Sequence, residues 1–332
     1  MTLPVGPAPG RQLLLSVLAL LLLALTAGSA GAQDYPARPV RIVHPYPGGP
    51  LDAAIRALGD RLSVQWKQPI VIDARPGANE IIAADVVAKS PPDGHTLFIG
   101  TESTFASNAY LFTKLPYDPV RDLQPVSQLY DIQFGLIVRG GLPVRNVAEF
   151  VALMKKEGEQ HTYASTGPGT ALHLGMESLR QATDIQITHV PYKATTQVMQ
   201  DLLGGRIDAV MGSTQIAAPF AADGRLRMLA ISGAARQKVL PSVPTFAEAG
   251  FPQVDVRTFV GLAVPAGTPE PVLARLQADF ATVLKSAEFR EKVLEPNGYD
   301  AVASTPAQFR EFLARKRAQV QSQIRALGVK VE

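Results

Sequence analysis

The sequence predicts an α/β protein, and three observations carry that reading. Short β-branched runs alternate with amphipathic segments along the chain. One device, a strand followed by a glycine-bearing loop and a helix start, occurs at 45–55 (PYPGGPLDAAI), 75–87 (RPGANEIIAADVV) and 164–174 (ASTGPGTALHL). The chain has no repeat of solenoid period and no low-complexity linker, so two domains, if present, must share strands rather than hang from a tether.

The N-terminus comes first. Arg11 is the only charge ahead of an apolar stretch from Leu13 to Leu25, too short to span a bilayer comfortably, and small residues then end in Ala30-Gly31-Ala32. This pattern predicts a secretory leader over 1–32, cleaved after Ala32, and a soluble mature protein in the periplasm. Its removal lowers the formal charge of +3 by one. The chain has no cysteine, which excludes a cysteine-borne lipid anchor, disulfides and thiolate metal sites.

VRIVHP (40–45), TLFIG (96–100), GLIV (135–138) and IDAVMG (207–212) read as strands. Ile55, Leu58, Leu62 and Trp66 fall on one helical stripe between the first two, and PPDG at 91–94 is a turn feeding the second. The C-terminal segment is the clearest helix. Thr305 stands at its cap and Pro306 at its first position, with Phe309, Phe312, Leu313, Val320, Ile324 and Leu327 on its apolar face.

The glycine loops define the candidate chemistry. Glycine permits close backbone approach, and a helix N-terminus offers unpaired N–H groups with partial positive charge, so each loop suits a carboxylate or a phosphate. Nucleotide chemistry does not fit 164–174: Leu172 stands where a dinucleotide fingerprint needs its third glycine, and no G-K-[ST] follows. A serine hydrolase fits poorly too, because Ser165 lacks the G-x-S-x-G elbow. The five histidines (His44, His95, His161, His173, His189) show no metal-ligand spacing, so neither a metal nor any other cofactor is expected. Basic residues are scattered and not interleaved with aromatics, which argues against nucleic acid. Arg75 is read as pinning its own turn and Lys193 as facing solvent. Backbone amides alone, with cleft burial, suffice without any arginine: a micromolar ligand needs about 8 kcal/mol of binding free energy, and a hydrogen bond to a charged group contributes roughly 1.5–3 kcal/mol.

Nine collinear motifs carry a resemblance: YPARPVRIVHPYPGGPLD, RPGAN, PPDGHTL, KLPYDPVRDLQPVS, YASTGPGTALHL, HVPYKA, DLLGGRIDAVM, LPSVPTFAEAGFP and GLAVPAGTPEPV, in order from 35 to 272. They resemble the Bug-type (TctC-like) solute-binding receptors of tripartite tricarboxylate transporters. The resemblance implies a two-lobed periplasmic-binding-protein fold of type II-like build with two crossing hinge strands, at 134–138 and 258–264. Residues 33–136 with 256–332 would form one lobe and 137–255 the other. Its implied function is non-enzymatic: capture of a small carboxylate or related organic solute by a monomer, and delivery to large and small integral membrane subunits. An adaptor that presents a ligand to a membrane sensor kinase would carry the same motifs.

On that reading Tyr46, Gly48, Gly49, Asn79, Glu80, Thr101 and Ser103 line the cleft from one lobe. Ser165, Thr166, Gly167, Thr170, His173, Tyr192 and Ser213 line it from the other, with Ser165 donating to an anion and His173 either touching the ligand or holding the loop. Several positions depart from the family's usual pattern. Asn79-Glu80 replaces the common Gly-Gly after R-P-G-A, Ala194 follows Tyr192-Lys193 where glycine is usual, Ser213 stands where aspartate is frequent, and Thr258-Phe259 where tryptophan is common. Glu80, just ahead of IIAADVV, either caps that helix or points into the cleft, where it would disfavour a second ligand carboxylate.

Overall fold

Strand β1 (Val40–His44) takes its place because Val40, Ile42 and Val43 are fully buried between neighbours on both sides. The computed structural model describes residues 35–327 except 234 and 255. The leader expected at 1–32, with cleavage after Ala32, lies outside the described residues. After β1 come α1 (Gly49–Trp66), β2 (Ile70–Ala74), α2 (Ile81–Ala88), β3 (Thr96–Thr101) and α3 (Asn108–Leu111). The long strand β4 (Leu123–Arg139) leads to α4 (Val147–Glu157), β5 (Thr162–Ser165), α5 (Ala171–Thr183), β6 (Thr188–Pro191) and α6 (Thr195–Leu203). Next are β7 (Ala209–Ser213), α7 (Thr214–Ala221), β8 (Leu226–Ile231) and β9 (Arg257–Pro265). The chain ends with α8 (Glu270–Lys285), the single turn α9 (Ala287–Phe289), β10 (Tyr299–Ala301) and α10 (Pro306–Leu327). No helix among the described residues is long and apolar enough to cross a membrane.

The strands form one ten-stranded mixed sheet in the order β2-β1-β3-β9-β4-β7-β5-β6, with β8 and β10 also on β4. Strand β4 belongs to both ends of it. Leu123–Gln133 pair with β9, and Phe134–Arg139 pair with β7 and β8. The 135–138 strand is thus the end of a 17-residue element. Its first half escapes pattern reading because register shifts at Pro125/Ser127 and Gln128/Tyr130 break the alternation of a regular strand. Just ahead of β9 the chain also bonds to the other end of the sheet. There Val256 O accepts from Phe134 N at 2.9 Å and Val256 N donates to Ser232 Oγ at 2.6 Å, while β9 itself pairs with β3 and the first half of β4.

Two helices match their sequence patterns closely. In α1, Ile55, Leu58, Leu62 and Trp66 are buried, and Gly59 brings the helix close enough that a Cβ there would lie 3.1 Å from Ile72 of β2. At the start of α10, Thr305 and Gln308 form a reciprocal cap: Gln308 N donates to Thr305 Oγ1 (3.2 Å) and Thr305 N to Gln308 Oε1 (2.9 Å). The core flanks the two ends of the sheet. Phe98, Phe105, Phe259 and Phe309 pack edge-on at one end, and Phe150, Tyr163, Met176 and Leu179 fill the other.

Candidate functional site

Register alone brings the glycine loops to one place. Strands β1, β2 and β3 are parallel, so their carboxyl ends share one edge, as do those of β5, β6 and β7. Thr101, the last residue of β3, stands opposite Val260, which stands opposite Tyr130 of β4. Ser213, the last residue of β7, stands opposite Phe134 of β4. The two sets of carboxyl ends therefore face each other across four residues of one strand, roughly 13 Å at the rise of a β-strand. Ligands of open α/β sheets bind at the carboxyl ends of the strands.

On the β1–β3 side the loops are rigidly held. His44 Nδ1 accepts from Tyr46 N at 3.3 Å, and its Nε2 faces Asp52 Oδ1 at 3.3 Å. Asp52 also accepts from Gly48 N (3.2 Å) and Arg56 Nε (3.1 Å), tying the Gly48-Gly49 turn to the first turn of α1. Burial lowers the His44 pKa in spite of Asp52, so the ring is neutral and its Nε2 carries the proton. Asn79 is joined to α3 by two 2.8 Å bonds, from its Nδ2 to Asn108 Oδ1 and from Asn108 Nδ2 to its carbonyl.

Glu80 does not cap α2. It makes no capping bond and sits at φ 75°, ψ −8°, with its carboxylate turned into its own side of the site. Oε1 accepts from Tyr46 Oη at 2.5 Å and from Thr101 Oγ1. Oε2 accepts from Thr101 N (3.1 Å), Thr104 N (3.3 Å) and Thr104 Oγ1 (2.8 Å). The residue is 8 % exposed. Burial, reinforced by the charge of Glu80, raises the Tyr46 pKa well above its ordinary value, so the phenol stays a donor.

On the β5–β7 side a stack of rings backs the loop. His173 and His189 lie 4.3 Å apart centroid to centroid, and Tyr163 lies 4.8 Å from His189. Gly169 N donates to His173 Nδ1 (3.0 Å), Tyr163 Oη to Glu177 (2.6 Å), and Arg180 pairs with Glu177 at 2.8 Å. Burial lowers both histidine pKa values, that of His189 to about 4, with His173 as a further cause at His189. Both rings are neutral near pH 7. His173 is tied to the loop through its bond from Gly169 N.

The side chains named from sequence divide into two kinds. Ser165, Thr170 and Tyr192 are committed to their own surroundings. Ser165 is fully buried, with Oγ 2.7 Å from His189 Nε2 and accepting from Gly167 N (3.1 Å). Thr170 Oγ1 donates to Gly167 O (2.8 Å), and Tyr192 Oη turns outward to Asp201 (2.7 Å). Thr101 is committed to Glu80 in the same way. Ser103, Thr166 and Ser213 differ: their hydroxyls have no hydrogen-bond partner among the described residues, though Ser103 and Ser213 are buried. Gly48, Gly49 and Gly167 have positive φ, and a Cβ on any of them would meet open space. Thr104, Asn108, Glu177 and His189 were not among the sequence candidates. Thr104 and Asn108 are fully buried partners of Glu80 and Asn79 in a helical stretch, 103–111, that no glycine or turn signal marks.

The two sides touch. Gly169 abuts Leu111 of α3, the helix that Asn108 ties to Asn79. Leu174 of α5 packs with Ala106, Leu111, Val320 and Ile324, so α5 meets both α3 and α10.

This architecture, two sets of parallel strands opposed across a shared strand, is the α/β fold of the periplasmic binding proteins. Residues 54–329 match the family described as "Tripartite tricarboxylate transporter family receptor", and the chain belongs to that family. Among curated relatives, the "UPF0065 protein in gbd 5'region" of Cupriavidus necator is 35% identical over 82% of each chain. Protein BugT of Bordetella pertussis is 31% identical over 92% of this chain and 95% of its own. Among solved structures, R. palustris Rpa4515 with adipate superimposes with a TM-score of 0.83 at 31% identity, covering 89% of this chain and 99% of the other. MatC from Rhodopseudomonas palustris with bound malate gives 0.79 at 29% identity, covering 87% and 100%. Family members are periplasmic solute-binding proteins.

Proposed function

We propose that this chain binds a small organic carboxylate where its two strand sets meet and hands it to large and small integral membrane subunits. The opposition of Thr101 and Ser213 across β4 is the observation that carries this reading, because it brings glycine loops and helix N-termini from both sets to one place. The relatives solved with adipate and malate support the ligand class. The free hydroxyls of Ser103, Thr166 and Ser213, the open faces of Gly48, Gly49 and Gly167, and the first-turn N–H groups of α5 are the contacts assigned to the ligand.

In this reading 33–136 with 256–332 and 137–255 are two lobes that close on the ligand as a monomer, and the leader is removed after Ala32 on export. The protein binds without catalysing. Ser165 has a histidine beside it, but its hydroxyl is fully buried and already serves Gly167. The test is native mass spectrometry of protein purified from periplasm without refolding, followed by calorimetric titration with the released compound. A carboxylate released intact and rebound in the micromolar range supports the proposal; a phosphate ester or an uncharged ligand overturns it.

A further inference from the structure

Glu80 is an anion held entirely by hydrogen-bond donors. Five converge on it: the Tyr46 hydroxyl, the Thr101 and Thr104 hydroxyls, and the backbone N–H groups of Thr101 and Thr104. No lysine, arginine or histidine among the described residues pairs with it. Two backbone amides and three hydroxyls from two separate segments, the loop after β1 and the 101–104 stretch at the end of β3, with no cation, form the donor set of a carboxylate-binding pocket. A carboxylate offers about four lone-pair sites, so Glu80 has no acceptor capacity to spare for anything arriving in the cleft. The backbone is bent to deliver it. Ala78, Asn79 and Glu80 are three successive non-glycine residues with positive φ (45°, 51° and 75°), a conformation that asparagine tolerates but that strains alanine and glutamate.

We propose that Glu80 is a built-in occupant of a carboxylate pocket: it fills the site that would otherwise take the far carboxylate of the ligand. The receptor therefore selects a compound with one carboxylate and a far end that is not anionic. This rests on the reading of the chain as a carboxylate receptor. Two effects act together against a dicarboxylate. Its second carboxylate finds no free donors, and it meets the charge of Glu80 at close range. The first carboxylate falls to the opposite side, where Thr166 and Ser213 keep free hydroxyls and α5 presents its N-terminus.

Glu80→Gly is the decisive variant, because glycine adopts φ 75° without strain and vacates the pocket while both backbone donors stay in place. The probe is formate, compared with chloride at equal ionic strength. Thermal melts are expected to show Glu80→Gly weakened in chloride and restored saturably by formate, with the wild type indifferent. If the variant is insoluble in chloride, recovery on refolding in formate reads the same property. Calorimetry against matched mono- and dicarboxylates is expected to shift the preference of Glu80→Gly towards dicarboxylates by about tenfold or more, the factor that roughly 1.4 kcal/mol represents. Glu80→Gln removes the charge but keeps the pocket filled, so it is expected to ignore formate and to gain less on dicarboxylates than Glu80→Gly.

A Glu80→Gly protein as stable as wild type and blind to formate overturns the proposal. So does a dicarboxylate gain in Glu80→Gln equal to that in Glu80→Gly, which would assign the whole effect to charge. A wild-type ligand that proves to be a dicarboxylate overturns the selectivity while leaving the receptor reading intact. Formate rescue stands or falls independently of any ligand.

Discussion

Leu111 occupies the space where a Gly169 side chain would be. A Cβ built on Gly169 would lie 2.3 Å from Leu111 Cδ1, and Gly169 itself is at φ 71°. This contact joins the loop after β5 to α3, and so joins the two sides of the site. Gly169→Ala is expected to cost about 1–2 kcal/mol for the left-handed backbone alone, plus the displacement of Leu111, and to weaken ligand binding. Denaturant unfolding with ligand titration checks both. Adding Leu111→Ala should recover binding more than stability, because it relieves the clash but not the backbone. A double variant with binding as poor as the single one would place the fault in the loop conformation.

The histidine stack makes stability depend on pH. A histidine whose pKa falls from 6.5 in the unfolded chain to about 4 in the native state binds its proton less readily when folded. Its contribution is complete above about pH 6.5 and is lost as pH falls towards 4. For His189 this amounts to at most roughly 3 kcal/mol at 1.36 kcal/mol per unit, and His173 adds in the same direction. Urea unfolding between pH 7 and 4 is expected to fall more steeply for the wild type than for His189→Asn. Parallel slopes would show that the His189 charge is accommodated.

Glu102 and Lys316 form a pair at 2.7 Å with Glu102 4 % exposed, linking the residue after β3 to α10. Burial raises the Glu102 pKa, with Lys316 opposing it. Removing one partner strands a buried charge, a loss of about 3–5 kcal/mol in comparable pairs, whereas removing both is often close to neutral. Lys316→Met should therefore unfold far more easily than Glu102→Gln/Lys316→Met. Equal stability of the two would show that solvent reaches Glu102.

Elements whose burial follows one period were legible in the sequence: α1 through Ile55, Leu58, Leu62 and Trp66, and α10 through its Thr305 cap and phenylalanine face. Strand β4 was legible only in its last residues, since bulges near Pro125 and Gln128 disrupt its alternation. The glycine loops marked where the site lies, because glycine is needed where φ is positive. Sequence could not say which hydroxyls remain free. Ser165 and Ser213 look alike on paper, and only the placement of His189 and Gly167 commits one while sparing the other. Glu80 stood out as a departure from a glycine pattern, but its partners lie 34, 21 and 24 residues away.

Three neighbouring positions share positive φ but differ in what their side chains do, so they separate backbone strain from side-chain bonding. Ala78 is exposed and its methyl group anchors nothing. Ala78→Gly should relieve left-handed strain of about 1–2 kcal/mol against a cost of roughly 0.4–1 kcal/mol for the freer unfolded chain, leaving the protein more stable by about 0.5–1 kcal/mol. Asn79→Gly gains less, since asparagine tolerates this region, and it forfeits the side-chain bond to Asn108. It should be neutral or mildly destabilising. Glu80→Gly relieves the same kind of strain but removes five hydrogen bonds, and it should be the least stable of the three in chloride. The expected order in denaturant midpoint is Ala78→Gly above wild type, Asn79→Gly at or just below it, and Glu80→Gly lowest. If all three variants moved together, the backbone alone would govern this loop, and the side-chain bonds of Asn79 and Glu80 would contribute nothing to holding it.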